Sequence, residues 1–319
     1  MQNKLDRQLI ELDGTVLVTG AGGTIGSGLL NRIRATTIVA LDISEYAIYR
    51  LQREIGNRDI HCVVGDASDS RVIDMLFNKY SFDYVFNAAA YKHVDTLEDE
   101  NNTYSVVKNN ILSVLALCKH IHGLKGLVHV SSDKAVNPTN SMGYTKLWCE
   151  RIVQHYGKFL PAKIVRFGNV YKSSGSFIET LEWQMANDMS ITITDSRMKR
   201  YFLTVDDAVT LIAHASLMKE NGTYILEMGE EISIVDIVNQ LNSKNLPVEY
   251  VGIRPGEKLS EELVYDHETL LNTLHPMVHR VEWDPIDMNT LIRDITIELN
   301  QGKICNQRIN EIIETIMTL

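Results

Sequence analysis

Thr15-Val16-Leu17-Val18-Thr19-Gly20-Ala21-Gly22-Gly23-Thr24-Ile25-Gly26 sets the architecture of the chain. Thr15–Thr19 is a β-branched run without polar alternation, the pattern of a strand covered on both faces. Gly20, Gly23 and Gly26 follow with the spacing GxxGxxG and predict a helix through Arg34. Small residues at such a turn let the backbone approach a pyrophosphate closely, and unpaired N–H groups at the helix start meet its charge.

The next apolar run, Thr37-Ile38-Val39-Ala40-Leu41, ends in Asp42. That acid lies about twenty residues beyond Gly20, where a carboxylate binds adenosine ribose hydroxyls. It would repel a 2′-phosphate, so NAD is expected rather than NADP. The alternative is a tight structural turn with Asp42 capping the next helix. The alternation continues with a helix over 45–56, a strand His61–Val64 ending at Gly65-Asp66, and a helix over 69–78. Asp83–Asn87 precedes Ala88-Ala89-Ala90, and a long helix over 103–122 leads to the strand Gly126–Val130. Short βα connections imply right-handed crossovers and an α/β fold, a Rossmann-type doubly wound parallel sheet. Its expected cofactor contacts are Gly20, Gly23, Thr24, Ile25, Gly26, Asp42, Asp66, Ala67, Ala88 and Ala89. Asp66 either meets the adenine edge or caps the helix at 69–78.

Residues 4–12 predict a short amphipathic helix, and Asp13-Gly14 a turn into the first strand. A helix runs to Tyr156, and a strand at Ala162–Phe167 ends in Gly168-Asn169-Val170. Capping boxes at Thr204-x-x-Asp207 and Ser233-x-x-Asp236 start further helices. Residues 1–168 are expected to form the dinucleotide-binding domain, with 205–228 returning to it. Residues 169–319 are expected to form mainly a smaller C-terminal α/β substrate-binding domain. No pattern places the last stretch, about 55 residues long.

A chain of 319 residues, 45% hydrophobic and 23% charged, can bury a large core. A net charge of −10 argues against nucleic-acid or anionic-membrane partners, which need a positive field, but leaves room for a small anionic ligand. Cys62, Cys118, Cys149 and Cys305 have no CxxC pairing, so thiols in a reducing compartment are expected, with no metal or disulfide framework. Met1–Arg7 lacks an apolar signal-peptide core, and no stretch reads as a membrane span. A cytoplasmic protein is expected.

Ser131-Ser132-Asp133-Lys134 lies just past Gly126–Val130, at the sheet edge where open α/β folds expose their chemistry, and Lys146 follows on the next helix. The alternative is a surface Asp-Lys pair in a loop. Together with the glycine turn and Tyr91-Lys92-His93-Val94, the run from Ser132 to Asn140 resembles the extended short-chain dehydrogenase/reductases. So do Gly143-x-Thr145-Lys146, Arg166-x-Gly168-Asn169-Val170 and Arg254-Pro255-Gly256-Glu257-Lys258. Within that superfamily they are similar to the nucleotide-sugar 4,6-dehydratases of polysaccharide biosynthesis that act on UDP-N-acetylglucosamine, over residues 14–280.

The resemblance implies a redox-neutral elimination on a UDP-sugar, in a homodimer. Hydride leaves C4, water is lost across C5 and C6, and hydride returns to C6. Asp133 matches the general acid for the C6 hydroxyl, and Lys134 the base for C5. Each role needs a shifted pKa, and adjacency opposes both shifts, so a proton shared across the pair is the expected resolution. Both side chains can reach one substrate only if the strand has ended by Ser132. Lys146 would hold the nicotinamide ribose.

The superfamily pattern Tyr-x-x-x-Lys is broken by Met142, and Tyr144 is rotated roughly 200° from Lys146 around the helix. Ser132 is the candidate relay for the C4 hydroxyl proton. Methionine occurs in a branch of the dehydratases and favours retention at C5. Asn169, Arg200, Arg254 and Glu257 correspond to substrate contacts, with Lys92 a further candidate. Arg200 reads alternatively as part of a basic patch with Arg197 and Lys199, and Arg254 as a turn-stabilising ion pair with Glu257. The rival functions are a C5-inverting dehydratase, a nucleotide-sugar 4-epimerase and a non-catalytic NAD-sensing module.

Overall fold

β1 (Ile10–Thr19) runs into the glycine turn and α1 (Thr24–Arg32). There follow β2 (Ile33–Asp42), α2 (Glu45–Ile55), β3 (Ile60–Val64), α3 (Ser70–Lys79), β4 (Tyr84–Asn87), α4 (Glu100–Cys118) and β5 (Gly126–Val130). A 3-10 turn at Asp133–Ala135 leads to α5 (Ser141–Tyr156), β6 (Ala162–Arg166), β7 (Asn169–Val170), α6 (Phe177–Ala186) and β8 (Ile191–Ile193). Next come β9 (Lys199–Arg200), β10 (Phe202–Leu203), α7 (Val205–Ser216), β11 (Gly222–Leu226) and β12 (Ile232–Ser233). The chain closes with α8 (Ile234–Leu241), β13 (Val248–Tyr250), β14 (Leu271–Asn272), β15 (Val278–Val281) and α9 (Asn289–Asn300). This computed structural model describes residues 9–56, 58–94, 100–284, 286–301, 308, 311, 312 and 315.

Among the described residues, the main sheet has the order β14-β15-β11-β6-β5-β4-β1-β2-β3. Pairing is parallel from β3 through β11, so these strands end at one common edge. β15 and β14 extend it in antiparallel fashion. Alternate strand residues feed two apolar layers. Leu17, Val39, Val85 and Leu127 pack with α3, α4 and α5, whereas Val16, Val18, Val128 and Val165 pack with α1 and α7. A separate small cluster joins α6, β8 and α8 through Ile178, Leu181, Ile191, Ile193 and Ile237, and β8 pairs with β13. The expected caps form: Thr204 Oγ1 accepts from Asp207 N at 3.1 Å, and Ser233 Oγ from Asp236 N at 3.4 Å.

The N-terminal expectation is corrected. Residues 1–8 lie outside the described residues, and Ile10-Glu11-Leu12 is strand, not helix, with Ile10 and Leu12 buried and Glu11 exposed. It pairs with Ile33-Arg34-Ala35, so α1 stops at Arg32 rather than Arg34. Asp13-Gly14 is an irregularity within one strand, not a turn before it. Gly14, at φ +120°, faces the Asp83 carboxylate, which accepts from Thr15 N at 2.8 Å; a Cβ there would collide with it. The long helix ends at Cys118 instead of 122. β14 and β15 arise in the region that pattern could not place.

Two polar assemblies cross the apolar core. Thr19, Asn87 and His129 stand in register on β1, β4 and β5. Thr19 Oγ1 donates to Asn87 Oδ1 at 2.7 Å, and Asn87 Nδ2 lies 3.2 Å from His129 Nδ1. Burial, reinforced by the Lys146 cation, pushes the His129 imidazole well below its ordinary pKa. Farther along the sheet, Arg166 donates to Glu150 at 2.7–3.1 Å and to Glu268 at 2.7 Å, while Ser131 Oγ donates to Glu150 at 2.6 Å. Burial opposes the Arg166 charge, but its two carboxylates outweigh it and raise the pKa further.

Candidate active site

The glycine turn has the tight packing that a dinucleotide cradle requires. Gly20 has φ +63°, and a Cβ there would lie 2.7 Å from Ala88 O and Ala89 N. A Cβ on Gly26 would overlap Gly20 O, so α1 starts flush against the turn. Gly23 caps α1 without a side chain, leaving the helix start to other acceptors. Gly20, Gly23, Asp42, Asp66, Ala67, Ala88 and Ala89 line one cleft at the carboxyl edge. Thr24 and Ile25 form the first turn of α1; Thr24 Oγ1 lies 3.2 Å from Ser174 Oγ and accepts from Ser174 N at 3.1 Å.

Asp42 does not cap α2; Ser44 does, accepting from Ala47 N. Asp42 instead ties the turn together, accepting from Gly22 N and Ser44 N at 2.9 Å each, with a further lone pair left on each oxygen. Asp66 accepts from Ser68 N at 2.7 Å, while Asp69 caps α3. Donor, acceptor and space in this cleft fit a dinucleotide.

At the same edge, β5 ends at Val130 and the chain turns through Asp133-Lys134-Ala135. Ser131 N and Asp133 N donate to Val165 O and Phe167 O at 2.8 and 3.1 Å, fixing the turn against β6. Leaving strand geometry lets neighbouring side chains converge. Asp133 Oδ1 accepts from Ser132 Oγ at 2.6 Å and from Lys134 Nζ at 3.1 Å. Asp133 is 1% exposed, and its Oδ2 has no hydrogen-bond partner. Gly168 lies beside that oxygen, where a Cβ would come within 3.2 Å of it.

Lys134 also lies 3.4 Å from Glu261 Oε1. Burial opposes its charge, but Asp133 and Glu261 together outweigh that effect and the nearby Arg200, and raise its pKa above the lysine norm. In this arrangement Lys134 is an ammonium.

Lys146 Nζ donates to Val130 O at 3.0 Å, and burial lowers its pKa. Met142 is packed in the core, on the first turn of α5, and Tyr144 is half-buried. Arg200, expected to contact the substrate, has its guanidinium engaged by backbone carbonyls. It is buried and donates to the carbonyls of Lys199, Leu259 and Lys258 at 2.7–3.0 Å, bracing the turn that carries Glu261. Glu257 accepts from Arg254 N at 3.0 Å, so it closes the Arg254–Glu257 turn, while the Arg254 side chain is exposed. Asn169 N donates to Tyr201 O at 3.0 Å. Lys92 is exposed, 3.4 Å from Ser173 Oγ, and desolvation about its ammonium, with Lys134 adding repulsion, lowers its pKa. Glu261 escaped the sequence reading, as did Tyr265, whose hydroxyl donates to Ala135 O at 2.9 Å. The run Ser260-Glu261-Glu262 carries no spacing signal; only its folding over the turn buries one acid. Among the described residues, no group of three or more His, Cys, Asp or Glu side chains could hold a metal.

A family described as "Polysaccharide biosynthesis protein" matches residues 16–283. The chain belongs to this family. Relatives in it include the probable polysaccharide biosynthesis protein EpsC of Bacillus subtilis (strain 168), 38% identical over 284 residues, covering 83% of this chain and 47% of that protein. The chain spans about half the length of the curated relatives it matches. The X-ray structure of Pen from Bacillus thuringiensis superposes with a TM-score of 0.76 at 30% identity, over 91% of this chain and all of that one. DesIV, a dTDP-glucose 4,6-dehydratase from Streptomyces venezuelae solved with NAD and TYD bound, shares the fold at TM-score 0.72 and 18% identity, over 92% and 99% of the two chains. No described helix of this family member is long and apolar enough to cross a membrane.

Proposed function

We propose that this chain is a NAD-dependent UDP-N-acetylglucosamine 4,6-dehydratase that retains the C5 configuration and works as a homodimer. The observation that carries the reading is the Ser132–Asp133–Lys134 constellation, built around the buried Asp133 at the sheet edge that also bears the dinucleotide cleft. An epimerase needs no acid and base aimed at C5 and C6. Bound nicotinamide would supply a hydride acceptor for C4 and a donor for C6.

The chain's own residues manage the protons. Ser132 Oγ, 2.6 Å from Asp133, passes the C4 hydroxyl proton to that carboxylate. Asp133, then neutral in a buried setting, protonates the C6 hydroxyl. Lys134 takes the C5 proton, which the C4 ketone has acidified, and returns it to C5. Lys146 orients the nicotinamide ribose, and Asp42 accepts from the adenosine ribose. Arg254, Asn169 and Lys92 are the diphosphate and sugar contacts, and Glu257 meets the uridine ribose; Arg200 supports them by holding the 258–259 turn.

Incubation of the NAD-loaded protein with UDP-N-acetylglucosamine, followed by mass spectrometry, tests the reading. The expected product has lost one water. An isomer of unchanged mass would favour the epimerase, and an untouched nucleotide sugar a sensor module.

A further inference from the structure

Lys134 Nζ is held between carboxylates from distant parts of the chain, Asp133 Oδ1 at 3.1 Å and Glu261 Oε1 at 3.4 Å. Glu261 is 5% exposed, and its other oxygen, Oε2, is buried with no hydrogen-bond donor. Lys258 Nζ lies 4.0 Å from that oxygen but donates to Val136 O at 2.8 Å, and it is equally distant from Glu262. Arg200 and Lys92 add positive charge around Lys134. A buried carboxylate with one oxygen undonated is costly, and neutralising the group with a proton lowers that cost. Meanwhile a lysine clamped as an ammonium by two anions cannot accept a proton from carbon until its own has somewhere to go.

We propose that Glu261 is the proton store of this site, a positioning residue acting through Lys134 that keeps the lysine's resting proton while the free amine takes the one from C5. The inference rests on the dehydratase reading.

The proton inventory closes. The C4 hydroxyl proton reaches Asp133 through Ser132 and neutralises one of the two anions around Lys134. Lys134 then passes a proton to Glu261 Oε1, leaving an amine and a carboxylic acid. The amine removes the C5 proton, and the released electron pair forms the C5–C6 double bond. Asp133 gives its proton to the C6 hydroxyl, which departs as water. The hydride removed from C4 is delivered to C6, Lys134 returns its proton to C5, and Glu261 hands the stored proton back. No outside oxidant, reductant or buffer is consumed.

Glu261→Gln keeps the size of the side chain but cannot store a proton. Wild-type turnover of UDP-N-acetylglucosamine is expected to be nearly flat from about pH 7 to about pH 9, since every transfer is internal. The Gln variant should lose about tenfold or more at neutral pH and regain about tenfold per pH unit as bulk base strips Lys134. Glu261→Asp should restore the flat profile. A loss equal at every pH, or no loss, overturns the proposal.

A second readout needs no turnover: acylation of Lys134 against pH, followed by peptide mass spectrometry. Removing one anion should bring Lys134 labelling to lower pH in the Gln variant, and coincident curves overturn the proposal. Shifted labelling in a protein whose wild type leaves the nucleotide sugar untouched would instead sink the dehydratase reading and keep the Glu261–Lys134 coupling.

Discussion

Gly143 presses against the carbonyl oxygen of Lys134 so closely that a Cβ would overlap it. Gly143 N also donates to Asn140 Oδ1 at 2.8 Å, closing the N-terminal cap of α5. The helix that carries Met142 and Lys146 is thereby seated directly on the turn that carries Asp133 and Lys134. Gly143→Ala is expected to cost about 1–3 kcal/mol through overpacking. Turnover should fall further than dinucleotide affinity, because the displaced atom belongs to the Asp133–Lys134 turn. Thermal unfolding and a binding titration on the same variant check this; unchanged melting and turnover would mean the contact yields freely.

Asp133→Asn and Lys134→Ala should each lower turnover by about 10²-fold or more while leaving NAD binding intact, because neither side chain lines the dinucleotide cleft. Cofactor fluorescence titration and a product assay separate the two effects. Near-normal turnover in either variant would refute the acid and base assignments.

His129 predicts an acid-sensitive fold. Its folded pKa is depressed well below 6.5, first by burial and then by Lys146. The unfolded chain therefore binds the extra proton below that value while the folded one does not. Stability is full above pH 6.5 and declines as pH falls beneath it, by up to about 1.4 kcal/mol per pH unit. Urea unfolding across that range should show a shallower slope in His129→Gln. Parallel slopes would assign the effect to other groups.

Met142→Tyr is expected to raise turnover little. Met142 is 2% exposed and packed in the core, so a phenol would need about 1–3 kcal/mol of repacking before it could approach Lys146. A large gain, measured beside the wild type under the same conditions, would show that the native enzyme is limited only by the missing hydroxyl.

The parallel half of the sheet could be read in advance because its strands are largely apolar runs and Gly20, Gly23 and Gly26 mark the first crossover. Ile10-Glu11-Leu12 was ambiguous: three residues fit a helical face as well as a strand, and only pairing with Ile33–Ala35 selects the strand. Asp133 and Lys134 stood out by position after β5. Glu261 did not, since its burial is created by Arg200 holding the carbonyls of Lys258 and Leu259. The carbonyls that Arg200 binds are equally invisible in the sequence. A basic residue among Arg197 and Lys199 looks solvated until the carbonyls it binds have folded onto it.

Tyr265 reaches Ala135 O, Glu268 reaches Arg166, and Lys258 reaches Val136 O. These ties join a segment made late in synthesis to the turn at 133–136 and to β6, both made much earlier. A nascent chain halted before residue 258 could therefore complete its glycine cradle while Lys134 still lacks Glu261. The proposed chemistry would then wait until that late segment leaves the ribosome and docks.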